Sequence, residues 1–572
     1  MSSFPASPND DGAPGDPPIA PRPPEEHAPA RGGLGTVFSG LRVIVSTTVL
    51  SRFLGMFRDM ATAALFGLGP VMDAFSLAFR IPNLARRLFG EGALSAAFLP
   101  AFTAAWESDP SDAKPAAWRL ASAVFGVLVL VLTLLVLVVE LLLWGLRGVY
   151  PPESATRLLL GLTGVMLPYT ILICLAAQVT AVLHARSEFT WPALVPIVLN
   201  VAWIASIFVI DPLFEPDRVA QAYALGVCVV ISGVGQLGLQ IPPLFRLGFH
   251  WSWDWRAAWS EVRGIVHAVL PVVLGLSLTQ ITTVMDSAIA WAFSHPPGQP
   301  DARMLLPGAP HYPLVEGATS ALYFGERLYH FPLGVFGVAL GTVLFPRFAQ
   351  HAARGEVGEL RSDLSLGLRL ILTVGIPAGA GLGLIANPLT EAIYARGEFS
   401  VRDAHRTAGM ISAYSWGVWA YCAIPVLFRG FYAIGERTAP LVVGLATLAV
   451  DLVLNLLLIW PLGERGLAWS TSVSSMVQVT ILLALLQRRF GKFDWQNISI
   501  TALRTIIATV VMSLACQASL AGLTALHATS VVRIVIAVPA AIAAFYGCAR
   551  LLRLEEVDDL IGFRRRAPRD ER

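Results

Sequence analysis

Residues 124–146 read VFGVLVLVLTLLVLVVELLLWGL and contain one charged side chain, Glu140. A helix rises about 1.5 Å per residue, so a run of this length crosses a hydrocarbon core of about 30 Å. Similar runs recur along the 572-residue chain, which is 55% hydrophobic and only 14% charged. A soluble chain needs far more charge to cover its surface, and barrel strands are shorter and alternate in polarity. The sequence therefore predicts an all-α polytopic membrane protein.

The apolar runs predict about 14 transmembrane helices. The candidate spans are residues 41–66, 71–104, 120–146, 155–183, 191–210, 219–245, 264–293, 317–349, 366–394, 406–434, 438–460, 465–487, 501–526 and 531–552. An even number of spans places both termini on one side of the membrane. Lys and Arg are denser in the loops on that side, which predicts that both termini are cytoplasmic.

An internal repeat predicts two six-helix lobes with two appended helices. The segments SEFTWP (187–192) and GERTAP (435–440) share the pattern E-x-T-x-P. Pro82 and Pro332 are separated in the sequence by nearly the same number of residues as these two segments. Transporters often contain such repeats and bind their substrate between them. The predicted domains are a disordered Pro-rich cytoplasmic tail (1–34), an N-terminal lobe (35–250, helices 1–6), a C-terminal lobe (251–492, helices 7–12, with an outer-side insertion at 294–316), helices 13–14 (493–555) and a charged cytoplasmic tail (556–572).

Charged residues concentrate in the first two spans of each predicted lobe. An arginine facing lipid costs about 2.5 kcal/mol or more, so these side chains are expected to face water inside the protein. Guanidinium groups bind phosphate and carboxylate through paired hydrogen bonds, which favours an anionic substrate. The alternative is that single arginines pair with neighbouring acids and only hold helices together, as Arg87 and Glu91 could at a spacing of four. The charged residues considered are Arg52, Arg58, Asp59, Asp73, Arg80, Arg86, Arg87, Glu91, Asp286, Glu326 and Arg327.

A second polar group is acidic and predicts a cation site. Asp451 and Asn455 share one helical face, Thr471 lies in the next span, and Asp286 lies in the seventh span. Carboxylate, amide and hydroxyl oxygens suit Na⁺ rather than a soft metal. The alternative is that Asp451 and Asn455 only form hydrogen bonds between helices.

Three segments resemble the MurJ (MviN) family of lipid II flippases, within the multidrug/oligosaccharidyl-lipid/polysaccharide exporter superfamily. They read SRFLGMFRDMATAALFGLGPVMDAFSLAFRIPNLARRLFGEGALSAAFLPAF (51–102), YFGERLYHFPLGVFGVALGTVLFPRF (323–348) and GFYAIGERTAPLVVGLATL (430–448). The resemblance covers roughly residues 35–555. His330 departs from the pattern, because relatives often carry an acid there.

The resemblance implies that the protein exports lipid II, the undecaprenyl-pyrophosphate-linked peptidoglycan precursor, across the bacterial cytoplasmic (inner) membrane by alternating access. It implies a role in cell wall biogenesis and cell shape. The matching substrate-binding residues are Arg52, Arg58, Arg86, Arg327, Asp73 and Glu91. Some relatives have a sodium site whose ligands resemble Asp286, Asp451, Asn455 and Thr471, with Asp and Asn exchanged between 451 and 455.

Further expectations concern partners and chemistry. No nucleotide-binding loop, nucleophile motif or metal-ligand cluster stands in the sequence, so neither an enzyme nor a cofactor is predicted, apart from Na⁺ as a coupling ion. The expected partners are lipid II, membrane lipids and cell-wall synthesis proteins, and no nucleic acid. Three alternatives remain open: a flippase for another undecaprenyl-pyrophosphate-linked saccharide of the O-antigen type, a multidrug exporter, and a non-transporting cell-wall scaffold.

Overall fold

The structure is a computed structural model that describes residues 32–90, 93–109, 111, 114–299 and 311–561. Most of the Pro-rich tail, the centre of the insertion at 294–316 and the end of the charged C-terminal tail lie outside these residues. The described residues are predominantly helical and contain no β-strand. The all-α polytopic fold predicted from composition is therefore confirmed.

The helices follow the predicted spans along the chain. They are α1 Gly32–Phe66, α2 Pro70–Ala85, α3 Ala93–Ser108, α4 Pro115–Val149, α5 Ala155–Met166, α6 Tyr169–Ala185, α7 Thr190–Phe214, α8 Arg218–Gly238, α9 Ile241–Arg246, α10 Trp259–Ala292, α11 Ala318–Pro332, α12 Ala339–Ala353, α13 Val357–Leu384, α14 Ala386–Tyr394, α15 Val401–Ser415, α16 Val418–Ala433, α17 Thr438–Leu462, α18 Glu464–Phe490, α19 Trp495–Ala525, α20 Ser530–Leu551 and α21 Glu555–Ile561. Two π-helical segments, Arg86–Gly90 and Leu333–Val338, follow α2 and α11.

The two π-helical segments begin within about one turn of Pro82 and Pro332, which occupy matching places in the predicted repeat. Proline has no amide hydrogen, so the ladder of backbone hydrogen bonds is interrupted there and the next turn widens. Because the widened turn stays helical, Arg86 and Arg87 lie in helix and not in a loop, as the length of the flanking apolar runs predicts.

Ten helical stretches of the described chain are long and apolar enough to cross a membrane. An eleventh is formed if α15 and α16, which meet at a bend of 48°, count as one span. Large side chains on the outside of α4 are well exposed, including Leu130 at 63% and Leu141 at 69%, as a lipid-facing surface requires. The count of fourteen spans stays a prediction.

Buried apolar side chains form two large clusters. One draws mainly on residues 63–265 and the other on residues 289–498. Two small clusters involve α19 to α21, where α19 packs on α13 and α20 packs on α14. The domain boundaries at 250 and 492 stay predictions. The candidate site lies where α1 and α2 meet α11, the helix that carries Glu326 and Arg327.

Candidate functional site

A cavity of about 460 Å³ lies among α1, α2, the first π-helical segment and α6 to α8. Its described lining contains four arginines, Arg58, Arg86, Arg87 and Arg327, and no carboxylate. Arg327, from α11, is the lining residue contributed by the second half of the chain. The remaining lining residues are Phe79, Asn83, Leu99, Tyr169, Ile173, Ala177, Thr180, Ala181, His184, Pro192, Val195, Pro196, Leu199, Asn200 and Gln236. The cavity is therefore cationic and suited to an anion.

Asp59 holds two of these arginines together. Arg58 donates from Nε and Nη2 to one oxygen of Asp59, at 3.0 and 2.7 Å. Arg327 approaches the other oxygen through its Nε at 3.5 Å. A single carboxylate thus joins α1 to α11, and it neutralises part of the charge of two guanidinium groups without filling their donor sites.

The Arg58 guanidinium is also oriented by α7. Its Nη1 donates to Asn200 Oδ1 at 3.2 Å, and the group lies 5.0 Å from the centre of the Trp203 ring. Arg58 is only 8% exposed, so these contacts replace water around a charge that burial would otherwise destabilise. The sequence analysis does not predict Asn200 as a site residue. Its position as an isolated amide inside the apolar run of the fifth span could have indicated a polar contact there.

Arg86 and Arg87 reach the cavity from the first π-helical segment. Arg86 donates from Nε to Asn83 Oδ1 at 3.1 Å, and Arg87 donates from Nη1 to Gln280 Oε1 at 2.7 Å. Glu91, a predicted substrate-binding residue and the possible partner of Arg87, lies outside the described residues. In these contacts both arginines donate to neutral side-chain amides.

Arg52 and Asp73 are placed elsewhere. Arg52 is exposed and is not part of the cavity lining; its guanidinium lies beside Gly334, where an added Cβ would be 3.1 Å from Nη1. Asp73 is buried and accepts hydrogen bonds from the amides of Gly317 and Ser320 at 2.7 and 2.6 Å. It therefore caps the N-terminus of α11. The structure brings Arg58, Arg86 and Arg327 together, and substrate contacts by Arg52 and Asp73 stay predictions.

The four residues of the predicted cation site form one buried cluster. Asn455 donates from Nδ2 to Asp286 Oδ1 at 2.6 Å and to Asp451 Oδ2 at 3.2 Å, and Thr471 donates to Asp286 Oδ2 at 3.3 Å. Ser474, which sequence reasoning missed, donates to Asp451 Oδ1 at 2.8 Å. The Asn455 Oδ1 atom is buried and has no hydrogen-bond partner among the described residues. An orphaned acceptor beside two buried carboxylates fits a cation.

At the predicted outer end, the two halves of the chain touch through backbone. The amide of Glu398 donates to Ala64 O at 2.8 Å, and Arg218 pairs with the Glu398 carboxylate at 2.7 Å. Glycine makes this approach possible, since a Cβ on Gly397 would lie 2.3 Å from Ala64 O. The halves are thus closed against each other at this end.

Known proteins share both sequence and fold with this chain. The family model described as "Lipid II flippase MurJ" matches residues 62–536. A probable lipid II flippase MurJ from Rhizobium tropici is 31% identical over 78% of this chain and 80% of its own length. One from Vibrio cholerae serotype O1 is 30% identical over 77% of this chain and 81% of its own length.

Solved structures agree on the fold. "Lipid II flippase MurJ, inward closed conformation" superposes with a TM-score of 0.70 at 21% identity, covering 91% of this chain and 99% of that one. An inward-facing multidrug resistance MATE family transporter of the MOP superfamily gives a TM-score of 0.57 at 13% identity, covering 78% and 97%. The match of the family model over most of the chain and the identity to curated relatives show that this protein belongs to the lipid II flippase MurJ family.

Proposed function

We propose that this protein translocates lipid II from the inner to the outer leaflet of the bacterial cytoplasmic membrane by alternating access. The observation that carries the proposal is the cavity with four arginines and no carboxylate in its described lining. Planar guanidinium forks bind a pyrophosphate through paired, charge-assisted hydrogen bonds. The names of the relatives supply the identity of the lipid, which the cavity chemistry alone does not define.

The contacts of Asp59 support a mechanism in which the anion binds across both halves. Arg58 belongs to α1 and Arg327 to α11, and they share this carboxylate. A bound pyrophosphate would compete with Asp59 for their donors and would add contacts to Arg86. Closure at Ala64 and Glu398 blocks the predicted outer end, so release to the outer leaflet requires those backbone contacts to open. Binding can drive this change only through a difference in affinity between the two states.

The fold is shared with multidrug transporters, but the cavity argues against that function. Cationic drugs favour sites rich in carboxylates, whereas the described lining here is cationic. A flippase for another undecaprenyl-pyrophosphate-linked saccharide would use the same guanidinium chemistry. That alternative is distinguished by the substrate in the assay below and not by the charge of the cavity.

We also propose that Na⁺ is the coupling ion, held by Asp286, Asp451, Asn455 and Thr471. The unpartnered Asn455 Oδ1 and the two adjacent carboxylates fit a hard cation. When bound, the ion would neutralise part of the negative charge buried in this low-dielectric region. The cluster connects α10, α17 and α18, so these oxygens can bias how the three helices pack.

The test is transport and complementation. Purified protein in liposomes should move fluorescent lipid II to the opposite leaflet, and an undecaprenyl-pyrophosphate carrying an unrelated saccharide should move more slowly. In cells depleted of their own flippase, the chain should restore growth and lipid II export. Failure of both assays with a well-expressed protein would refute the proposal, and faster movement of the other saccharide would favour the alternative flippase.

A further inference from the structure

A second cavity, of about 330 Å³, lies between α14, α15 and α18 near the predicted outer end. It shares no lining residue with the arginine-lined cavity. Its lining combines one cation, small polar groups and two tryptophan rings, contributed by Asn387, His405, Ser412, Trp416, Arg465 and Trp469. This mixture differs from the apolar exterior of the neighbouring helices and indicates a polar ligand in a membrane setting.

The guanidinium of Arg465 is positioned by a glycine on the facing helix. A Cβ on Gly409 would lie 2.5 Å from Arg465 Nε and 3.0 Å from Nη2, so the group occupies space that a larger residue would fill. No hydrogen bond or ion pair joins Arg465 to another described residue, whereas nearby Arg406 pairs with Glu464 at 2.7 Å. The Arg465 guanidinium therefore has donors in the cavity that an anion can use.

The other basic side chain of the cavity is already engaged. His405 Nδ1 lies 3.0 Å from Asn387 Oδ1, and its Nε2 lies 3.6 Å from Glu391 Oε1. Glu391 in turn accepts from Ser530 of α20 at 2.5 Å. This chain of contacts fixes the wall of the cavity and leaves Arg465 as its open donor within the described residues.

The two tryptophans indicate the depth of the cavity in the membrane. The Trp416 and Trp469 ring centres are 6.0 Å apart, and Trp416 is 63% exposed at the bend between α15 and α16. Arg465 lies one turn before Trp469, about 6 Å along the helix. Tryptophan concentrates at the membrane interface, where its ring contacts acyl chains and its N–H contacts headgroups.

We propose that this cavity binds the phosphate of a membrane lipid in the outer leaflet, with Arg465 as its ligand and the tryptophans against the backbone of the lipid. Phosphate is the anion that membrane lipids present at interfacial depth, and the guanidinium fork matches its oxygens. Two sources share this chemistry, anionic phospholipids and isoprenoid phosphates. The proposal concerns a site separate from the transport cavity and does not depend on which substrate is moved.

Native mass spectrometry of the full-length protein, delipidated in detergent, tests the proposal. Titration with phosphatidylglycerol or undecaprenyl phosphate should show saturable binding, and Arg465→Gln should weaken it about tenfold or more, because a charge-assisted contact is lost. Trp469→Ala should weaken it less. Arg402→Gln is the matched control, since Arg402 is exposed on α15 and does not line the cavity, and it should bind as the wild type does.

The lipid whose binding is weakened by Arg465→Gln identifies the source of the phosphate. Selective loss of phosphatidylglycerol binding would assign the site to membrane phospholipid, and selective loss of undecaprenyl phosphate binding would assign it to the carrier lipid. Equal affinity of the wild type and Arg465→Gln for both lipids would overturn the proposal. Equal weakening by Arg402→Gln would overturn it as well, since the effect would then reflect surface charge and not the cavity.

Discussion

Arg80 of α2 and Glu326 of α11 form an ion pair between the two halves of the chain, with Arg80 Nη1 2.9 Å from Glu326 Oε2. The side chains are only 8% and 7% exposed. Arg80 Nε and Nη2 have no hydrogen-bond partner among the described residues. The pair therefore joins the halves through buried charges that are only partly satisfied, beside the Arg58–Asp59–Arg327 contacts.

Removing one member of this pair should destabilise the protein strongly. Glu326→Leu would leave the Arg80 charge buried without its carboxylate, which costs about 3–5 kcal/mol in buried pairs. Arg80→Leu combined with Glu326→Leu should recover much of that loss, because no unpaired charge remains. Thermal unfolding of the purified variants measures both effects. A single variant as stable as the wild type would show that the pair is screened by water and contributes little.

The arginines of the cavity should be required for transport. Arg58→Ala, Arg86→Ala or Arg327→Ala should each reduce lipid II movement in liposomes by at least about tenfold, because each removes a charge-assisted contact to the pyrophosphate. The corresponding Lys variants should also lose activity, since an ammonium lacks the planar fork.

Arg119→Ala is the control for the cavity variants, because Arg119 is partly exposed in an ion pair with Asp254 and does not line the cavity. Its transport should match that of the wild type. Expression and thermal stability separate loss of transport from loss of folding. Normal transport by all three cavity variants would contradict the assignment.

The acidic cluster should give the protein a sodium dependence. Replacing choline by Na⁺ should raise the thermal stability of the wild type, because a ligand that binds only the folded state stabilises it. Asp286→Asn or Asp451→Asn should abolish that difference, because each removes one of the two negative charges that attract the ion. Asp254→Asn, at an exposed carboxylate, should retain it. Identical melting and transport of the wild type in the two salts would leave the cluster with a purely hydrogen-bonding role.

Closure at the predicted outer end should depend on Gly397. This residue has a φ of 57°, and an added Cβ would meet Ala64 O at 2.3 Å. Gly397→Ala should therefore be strained and should separate the halves at this end, which raises the reactivity of a cysteine introduced at Ala64. Labelling of the native cysteines is measured on the same Gly397→Ala variant without the added cysteine.

Gly69→Ala is the control for this substitution, because a Cβ there meets nothing within 4 Å and its backbone is extended. It should leave the labelling of the cysteine at residue 64 unchanged. Equal labelling in the Gly397→Ala and wild-type backgrounds would show that the contact tolerates the methyl group.

The sequence by itself determined the class of the protein and the residues that needed a polar environment. The cost of placing arginine in lipid is a property of each residue and its apolar neighbours, so Arg58, Arg86 and Arg327 stand out without any contact being known. The spacing of Asp451 and Asn455 puts them on one helical face for the same local reason.

The tertiary structure decided which of these residues meet. Asp59 pairs with Arg327 as well as with its neighbour Arg58, and Asp73 caps α11 at Gly317. The contacts to Arg327 and Gly317 each join parts of the chain about 250 residues apart. Such pairings depend on how the helices rotate and pack against each other. The spacing of residues within one helix does not specify that packing. For this reason Arg52, whose charge and surroundings in the sequence resemble those of Arg58, lies outside the cavity lining.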